Sequence, residues 1–312
     1  MYVSEQEVRA VLTYDLLIPA IRLALIDYSA GRVNQPPRMI LRAGNADDHR
    51  NGWFAVMPVV AGDVMAVKTV TYYPCNDALS IPTHMAVIEL LRRATGEPLA
   101  VMDGRLITEM RTAAVSAVAF SALAPLHFQS APSSFGILGS GVQAHAHIQA
   151  IRTVWPELRE IRIASRNPAN AAKLASEAGA RAVSIEEAAS AEVVLTATSS
   201  PTPVLFGRCM SQRALVLAVG APGATLRELD DQAMSQSYVV AESRACVARE
   251  SGDVLLSGAK VQAEIGEILA DAASAAVPRD CPIIFKSVGM AIEDLTAARL
   301  VWQARANGSH KS

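Results

Sequence analysis

Residues 135–151 read FGILGSGVQAHAHIQAI, an apolar run that meets Gly139-Ser140-Gly141 and continues at once into helix-compatible residues. Few folds place so bare a corner between a buried strand and a helix. Glycine at 139 permits a tight turn, and glycine at 141 lets a charged group approach the backbone. Ala144, in the third position of this G-x-G-x-x-A pattern, still allows close helix–strand packing. Open N–H groups and the dipole at the helix start favour a diphosphate. Such a glycine pattern is weak alone, so its surroundings decide what it means.

Those surroundings repeat the same unit. After "SFGILG" and a helix from about residue 141 come "EIRIAS", a helix over "PANAAKLASEAG", then "AEVVLTATSS", "ALVLAVG" and "SYVVAE". Alternating strands and helices predict an α/β fold, a Rossmann doubly wound parallel sheet. The chain before residue 125 has another texture. Ser4 and Glu7 form a capping box, and an amphipathic pattern runs from there to Gly31. Residues 53–60, 64–73 and 85–93 read as strands, "ATGEP" turns into "LAVMD" as a hairpin, and 106–124 is an Ala-rich helix. A last helix is expected over about 290–307. This division predicts a dinucleotide-binding domain over 125–284, inserted into an α+β domain made of 1–124 and 285–312.

The chain has 312 residues, 51% of them hydrophobic, with a net charge of −2. It lacks Lys/Arg-rich blocks, which argues against nucleic acid or anionic membrane as partners. The start "MYVSEQEVRA" does not have the layout of a signal peptide, and no uninterrupted apolar run approaches the length of a membrane span. Four scattered cysteines without zinc-like spacing are expected to be buried thiols of a cytoplasmic protein.

Where a dinucleotide fold usually carries an acid for the ribose 2′-OH, about 20 residues past the glycines, this chain has Ser165-Arg166-Asn167. A guanidinium beside a hydroxyl suits a dianionic 2′-phosphate, which favours NADP(H) over NAD(H). His145 and His147, two apart on a helix, do not share a face, so a metal pair is not expected and none is assigned. Only five lysines occur beside 23 arginines. Lys173, Lys260, Lys286 and Lys311 fall in contexts that read as surface or terminal. Lys68 falls in "VMAVKTVTYY", where the period of 2 sets it in one row with Val64, Ala66, Val70 and Tyr72. It either belongs to a site or snorkels from an edge strand.

Several stretches together resemble the ornithine cyclodeaminase/mu-crystallin family: "VKTVTYYPCN", "LAVMDGRLITEMRTAAVSA", "GILGSGVQAHAH", "VLTATSSPTPV", "RELD" and "FKSVGMAIEDL". The resemblance covers nearly the whole chain. It implies a homodimeric oxidoreductase acting on a small amino or imino acid. It further implies that Arg38, Lys68 and Arg111 hold the substrate carboxylate, with Lys68 next to the reacting carbon. Gly139, Ser140, Gly141, Val142 and Gln143 would cradle the pyrophosphate. Thr112 would lie with Arg111 near the cofactor phosphates, and Thr83 and Ser287 near the nicotinamide. Thr198, Ser199, Val219, Gly220 and Ala221 would follow the cofactor-facing strands.

One position departs from the family pattern. Cyclodeaminases and alanine dehydrogenases of this family place an amine-handling aspartate where this chain has Pro222. Together with the NADP(H) reading, that points to the mu-crystallin/ketimine-reductase branch and to reduction of a cyclic ketimine or imino acid carboxylate. Ornithine cyclodeamination and non-catalytic NADPH binding remain the alternatives.

Overall fold

The computed structural model describes residues 1–43, 52–220 and 223–308. The chain begins with β1 (Tyr2–Val3), α1 (Glu5–Val11), α2 (Tyr14–Ser29), β2 (Met39–Arg42), β3 (Trp53–Ala61), β4 (Val64–Tyr72), β5 (His84–Arg92) and β6 (Pro98–Asp103). Then follow α3 (Arg105–His127), β7 (Ser134–Leu138), α4 (Val142–Val154), β8 (Glu160–Ala164), α5 (Pro168–Ala178), β9 (Arg181–Ala182), α6 (Ile185–Ala189), β10 (Val193–Thr196) and β11 (Leu215–Ala218). The remainder is α7 (Asp231–Ser235), β12 (Tyr238–Ala241), α8 (Arg244–Glu250), α9 (Gly252–Ser257), β13 (Ala263–Glu264), α10 (Ile265–Ala270), β14 (Ile283–Lys286) and α11 (Ala291–Gly308).

Two compact units divide the chain, one of Met1–Arg111 with the segment from Met290 onward, the other of Thr112–Gly289. Both boundaries differ from the sequence expectation. The first lies inside α3 rather than at its end near 125, because residues from 112 onward pack within the second unit. There Phe120 stacks on Trp155 with ring centroids 5.0 Å apart, and Ser116 meets His147. The second boundary falls after β14, because that strand belongs to the second unit's sheet.

The first unit holds a six-stranded sheet in the order β1-β6-β5-β4-β3-β2, antiparallel except for β1 beside β6. Strict alternation of burial along β3, β4 and β5 gives it one covered face, against which α11 packs, with α2 alongside. The expected first helix is two, interrupted at Leu12–Thr13, and the Ser4–Glu7 capping box starts the first of them.

The second unit is an eight-stranded parallel sheet, β13-β12-β14-β11-β10-β7-β8-β9. From β7 the chain winds out through β8 and β9, then returns to β10 on the other side of β7. That reversal is the topological switch point, at the carboxyl ends of β7 and β10, where doubly wound folds bind their ligands. By length and composition α3 resembles a membrane span, but its Ala113–Phe120 stretch is buried within the protein.

Candidate active site

In the second unit, β7 ends at Leu138 and the chain turns through Gly139 at φ +130°. A Cβ there would meet the Ala197 carbonyl oxygen at 2.5 Å, so glycine is required by both conformation and space. Gly141 is different. It caps α4 at φ −85°, without a side-chain cap hydrogen bond, and a Cβ on it would meet no heavy atom within 4 Å. The protein itself therefore makes no steric demand for glycine at 141, whereas a pyrophosphate lying against the first N–H groups of α4 would. Nearby, the Gln143 Oε1 is buried without a hydrogen-bond donor, as an acceptor awaiting a ligand hydroxyl or amide would be. These features fit a dinucleotide.

At the end of β8, the Ser140 hydroxyl donates to Ser165 Oγ at 3.0 Å, Ser165 donates to the Asn167 carbonyl, and Asn167 caps α5. Arg166 is exposed, and among the described residues no carboxylate pairs with it. His147 is a packing residue. Its Nδ1 lies 2.7 Å from the Gln143 carbonyl and its Nε2 2.9 Å from Ser116 Oγ, and burial lowers its pKa to about 4. His145 is exposed.

Sequence reasoning missed what holds the carboxyl ends of β10, β11 and β14. The fully buried Glu228 accepts from Thr196 Oγ1 at 2.7 Å, the Thr198 N–H at 2.6 Å and the Gly220 N–H at 2.9 Å. Burial raises its pKa, while Lys286 and the bonds from Thr198 and Thr196 oppose the rise. Lys286, read from sequence as a surface residue, is 0% exposed and pairs with Asp253 at 2.8 Å. A lysine in a central parallel strand has covered faces on both sides. Its ammonium also donates to the Gly220 carbonyl, while Asp253 Oδ1 accepts from the Glu228 and Leu229 N–H groups. Ser287 is similarly engaged, donating to Glu242 Oε1 at 2.9 Å. Thr198 Oγ1 accepts from Ser200 N–H, Ser199 is exposed, and the Val219 N–H donates to the Thr196 carbonyl. Thr112 is buried. Ala221 and Pro222 lie outside the described residues.

The first unit brings Arg38, Lys68 and Arg111 into one electrostatic neighbourhood. β4 is interior to its sheet and Lys68 is 2% exposed, so snorkelling from an edge strand is ruled out. Its row of Val64, Ala66 and Val70 is buried with it, and Lys68 stands in register between Met57 and Ile88. The ammonium pairs with Asp294 Oδ2 at 2.7 Å, and the Thr108 hydroxyl stands 3.5 Å away. Arg111 is held by Glu293 Oε2 at 2.6 Å from Nη1 and by Asp294 Oδ1 at 3.2 Å from Nε. Burial lowers the Lys68 pKa to about 8. The Asp294 carboxylate works against that shift, and the Arg111 and Arg38 charges add to it. His84, at the start of β5, is kept neutral near pH 7, its pKa lowered to about 4 by burial and then by Lys68 and Arg111. Thr83 is half-buried, and its carbonyl accepts from the Tyr73 N–H. Glu293 and Asp294 stood in the quoted "AIEDL" without a role. Their only sequence signal was two adjacent acids entering a helix in an otherwise apolar context.

The four cysteines form no disulfide; contrary to expectation, only Cys246 is buried. Among the described residues, no cluster of His, Cys, Asp or Glu has the makings of a metal site.

Residues 1–309 match the family model described as the ornithine cyclodeaminase/mu-crystallin family. The ketimine reductase mu-crystallin of Mus musculus is 40% identical, covering 98% of this chain and 98% of its own. The structure of Thermococcus litoralis Δ1-pyrroline-2-carboxylate reductase, in complex with NADH and L-proline, matches with a TM-score of 0.89 at 29% identity, over 99% of this chain and 98% of that one. An archaeal alanine dehydrogenase dimer with bound NAD gives 0.91 at 26% identity, over 99% and 97%.

Proposed function

The chain belongs to the ornithine cyclodeaminase/mu-crystallin family, and from that premise we propose that it reduces a small cyclic imino acid with a nicotinamide cofactor. The substrate class is a five- or six-membered ring bearing a C=N bond next to a carboxylate. The observation that carries this reading is Lys68, a buried ammonium beside two arginines and one bridging carboxylate. A planar carboxylate requires charge-assisted hydrogen bonds to be held rigidly, and Arg38 and Arg111 would supply them. Lys68 has three N–H donors; Asp294 takes one and Thr108 faces another, which leaves one for the imine nitrogen. When bound, the nicotinamide supplies hydride to the imine carbon. Gly139 to Gln143 would hold its pyrophosphate and Glu228 would keep the neighbouring strand ends in place.

We read the cofactor as NADP(H). The two solved structures described above carry NADH and NAD, but Arg166 is exposed at the end of β8, where a 2′-phosphate would lie, and the described loop there contains no competing acid. We also read the assembly as a homodimer. The outward face of the first unit's sheet is apolar and open at Met85 and Val87, which are 40% and 45% exposed. That face suits a second copy, whereas the first turns of α11 are buried.

The experiment is an NADPH-oxidation screen with cyclic ketimine carboxylates, pyruvate plus ammonia, and ornithine. A cyclic ketimine should consume NADPH. Ornithine should give neither proline nor ammonia, because an ammonium substrate must lose a proton before hydride can leave its carbon, and Pro222 offers no group to take it. Ornithine turnover without ketimine reduction would overturn the proposal.

A further inference from the structure

We propose that Asp294 is a positioning residue of the reaction, a single carboxylate that bridges Lys68 and Arg111 and holds the Lys68 ammonium as the proton donor. This rests on the reductase reading above. The geometry is specific: one carboxylate oxygen lies 2.7 Å from Lys68 Nζ, the other 3.2 Å from Arg111 Nε. Glu293, the preceding residue, spends its Oε2 on Arg111 Nη1 at 2.6 Å. Among the described residues, Asp294 is thus the carboxylate that pairs with Lys68. Both acids occupy the first turn of α11, where the helix dipole favours negative charge. That placement offsets part of the cost of burying Asp294, which is 1% exposed.

The nearby cations push the other way, and the nearby imidazole adds no charge. Arg111 faces it from α3, Arg38 from the segment before β2, and His84 from β5, neutral with a pKa near 4. On β3 the covered residues are Ala55, Met57 and Val59, which carry no charge. Burial and two cations therefore disfavour the ammonium, and one carboxylate sustains it. In the proton-transfer step an N–H bond of Lys68 breaks and one forms at the imine nitrogen as hydride joins the carbon. Lys68 is left as a neutral amine to be re-protonated by water. Asp294 keeps its ion pair with Arg111 throughout, which holds the carboxylate in place when Lys68 is neutral.

The test uses the full chain with NADPH and an accepted ketimine. Lysine labelled with ¹³C at Cε gives at most five resonances, one for each lysine, and Lys68→Met assigns the one that matters. In Asp294→Asn the Lys68 midpoint should fall from about 8 by one unit or more, since a lost counter-charge at this range moves a pKa by about 1–3 units. The alkaline limb of kcat should fall with it. Turnover near neutral pH should drop about twofold for a one-unit fall and up to about a hundredfold for three units, and recover as the pH is lowered. Asp294→Glu keeps the charge but alters the reach. It should leave the midpoint near that of the parent and lower kcat about tenfold with KM little changed. An unmoved midpoint in Asp294→Asn, or equal loss of activity at every pH, would overturn the proposal. Should that variant not fold, Asp294→Glu with the parent kcat would do the same. A parent that reduces no imino acid would sink the reductase reading instead, and the NMR midpoint would still decide whether Asp294 sustains the charge.

Discussion

Gly139 and Gly141 belong to one motif but answer to different forces, and alanine at each separates them. At Gly139 the new Cβ would sit 2.5 Å from the Ala197 carbonyl oxygen, in a backbone held at φ +130°. A non-glycine residue in such a conformation costs about 1–3 kcal/mol, and overpacking adds roughly 1–3 kcal/mol. For a unit of this size each kcal/mol lowers Tm by about 2–4 °C, so Gly139→Ala should lower it by roughly 4–24 °C. At Gly141 the Cβ meets nothing within 4 Å and φ is −85°. Losing glycine at a helix N-cap costs roughly 0.5–1 kcal/mol, and stiffening the unfolded chain returns about 0.4–1 kcal/mol. Gly141→Ala should therefore melt within about 3 °C of the parent. Its methyl group would nevertheless lie over the first N–H groups of α4, where a pyrophosphate needs the backbone. Two charge-assisted hydrogen bonds at about 1.5–3 kcal/mol each correspond to a loss of roughly 10²–10⁴-fold in affinity. Differential scanning fluorimetry and calorimetric titration with NADPH measure both quantities on the same preparations. If Gly141→Ala binds NADPH within threefold of the parent, the glycine is not there for the cofactor.

Arg166→Ala should weaken NADPH at least tenfold while changing NADH by less than threefold, measured by titration; equal losses would refute the 2′-phosphate reading. Lys68→Met should lower kcat by about 10²–10⁴-fold, the range of general acid catalysis, with NADPH affinity within threefold; unaltered turnover would remove Lys68 from the chemistry. Lys286→Met should instead unfold the second unit more easily, by about 3–5 kcal/mol in denaturant titrations, because it strands the buried Asp253 charge. Val87→Asp on the open face of the sheet should shift a dimer to monomer by light scattering at micromolar concentration; a parent that is already monomeric would refute the interface.

Much of the fold was legible because it is local. Alternation in "VMAVKTVTYY" placed β4 and its covered face, and the strand–glycine–helix pattern placed β7 and α4. The misread parts depend on distant chain. Residues 283–286 pass as the start of a terminal segment until their partners β11 and β12 are known. Then the Lys286 side chain must be buried, and an apolar run broken by one lysine could have signalled it. Asp294 carried less signal still. An acidic pair in the first turn of a helix usually faces water, and only the packing of α11 on β4 turns it towards Lys68.

Two buried lysines each hold an aspartate, at 2.7 and 2.8 Å, and distance alone would not tell a reacting group from a structural one. Their surroundings do. Asp253 accepts from two backbone N–H groups and pairs with Lys286, whose ammonium also meets the Gly220 carbonyl, so the pair ties strand ends together. Lys68 shares the Asp294 carboxylate with Arg111 and feels Arg38 as well, and its pKa is lowered to about 8. Three cations in one place suit an incoming carboxylate, the substrate group we propose. An ammonium poised near 8 gives up its proton more readily than one near 10.5, which suits a general acid working close to neutral pH. Lys286 ties strand ends together, whereas Lys68, with its lowered pKa and the Arg111 and Arg38 charges beside it, is the lysine we propose for the chemistry.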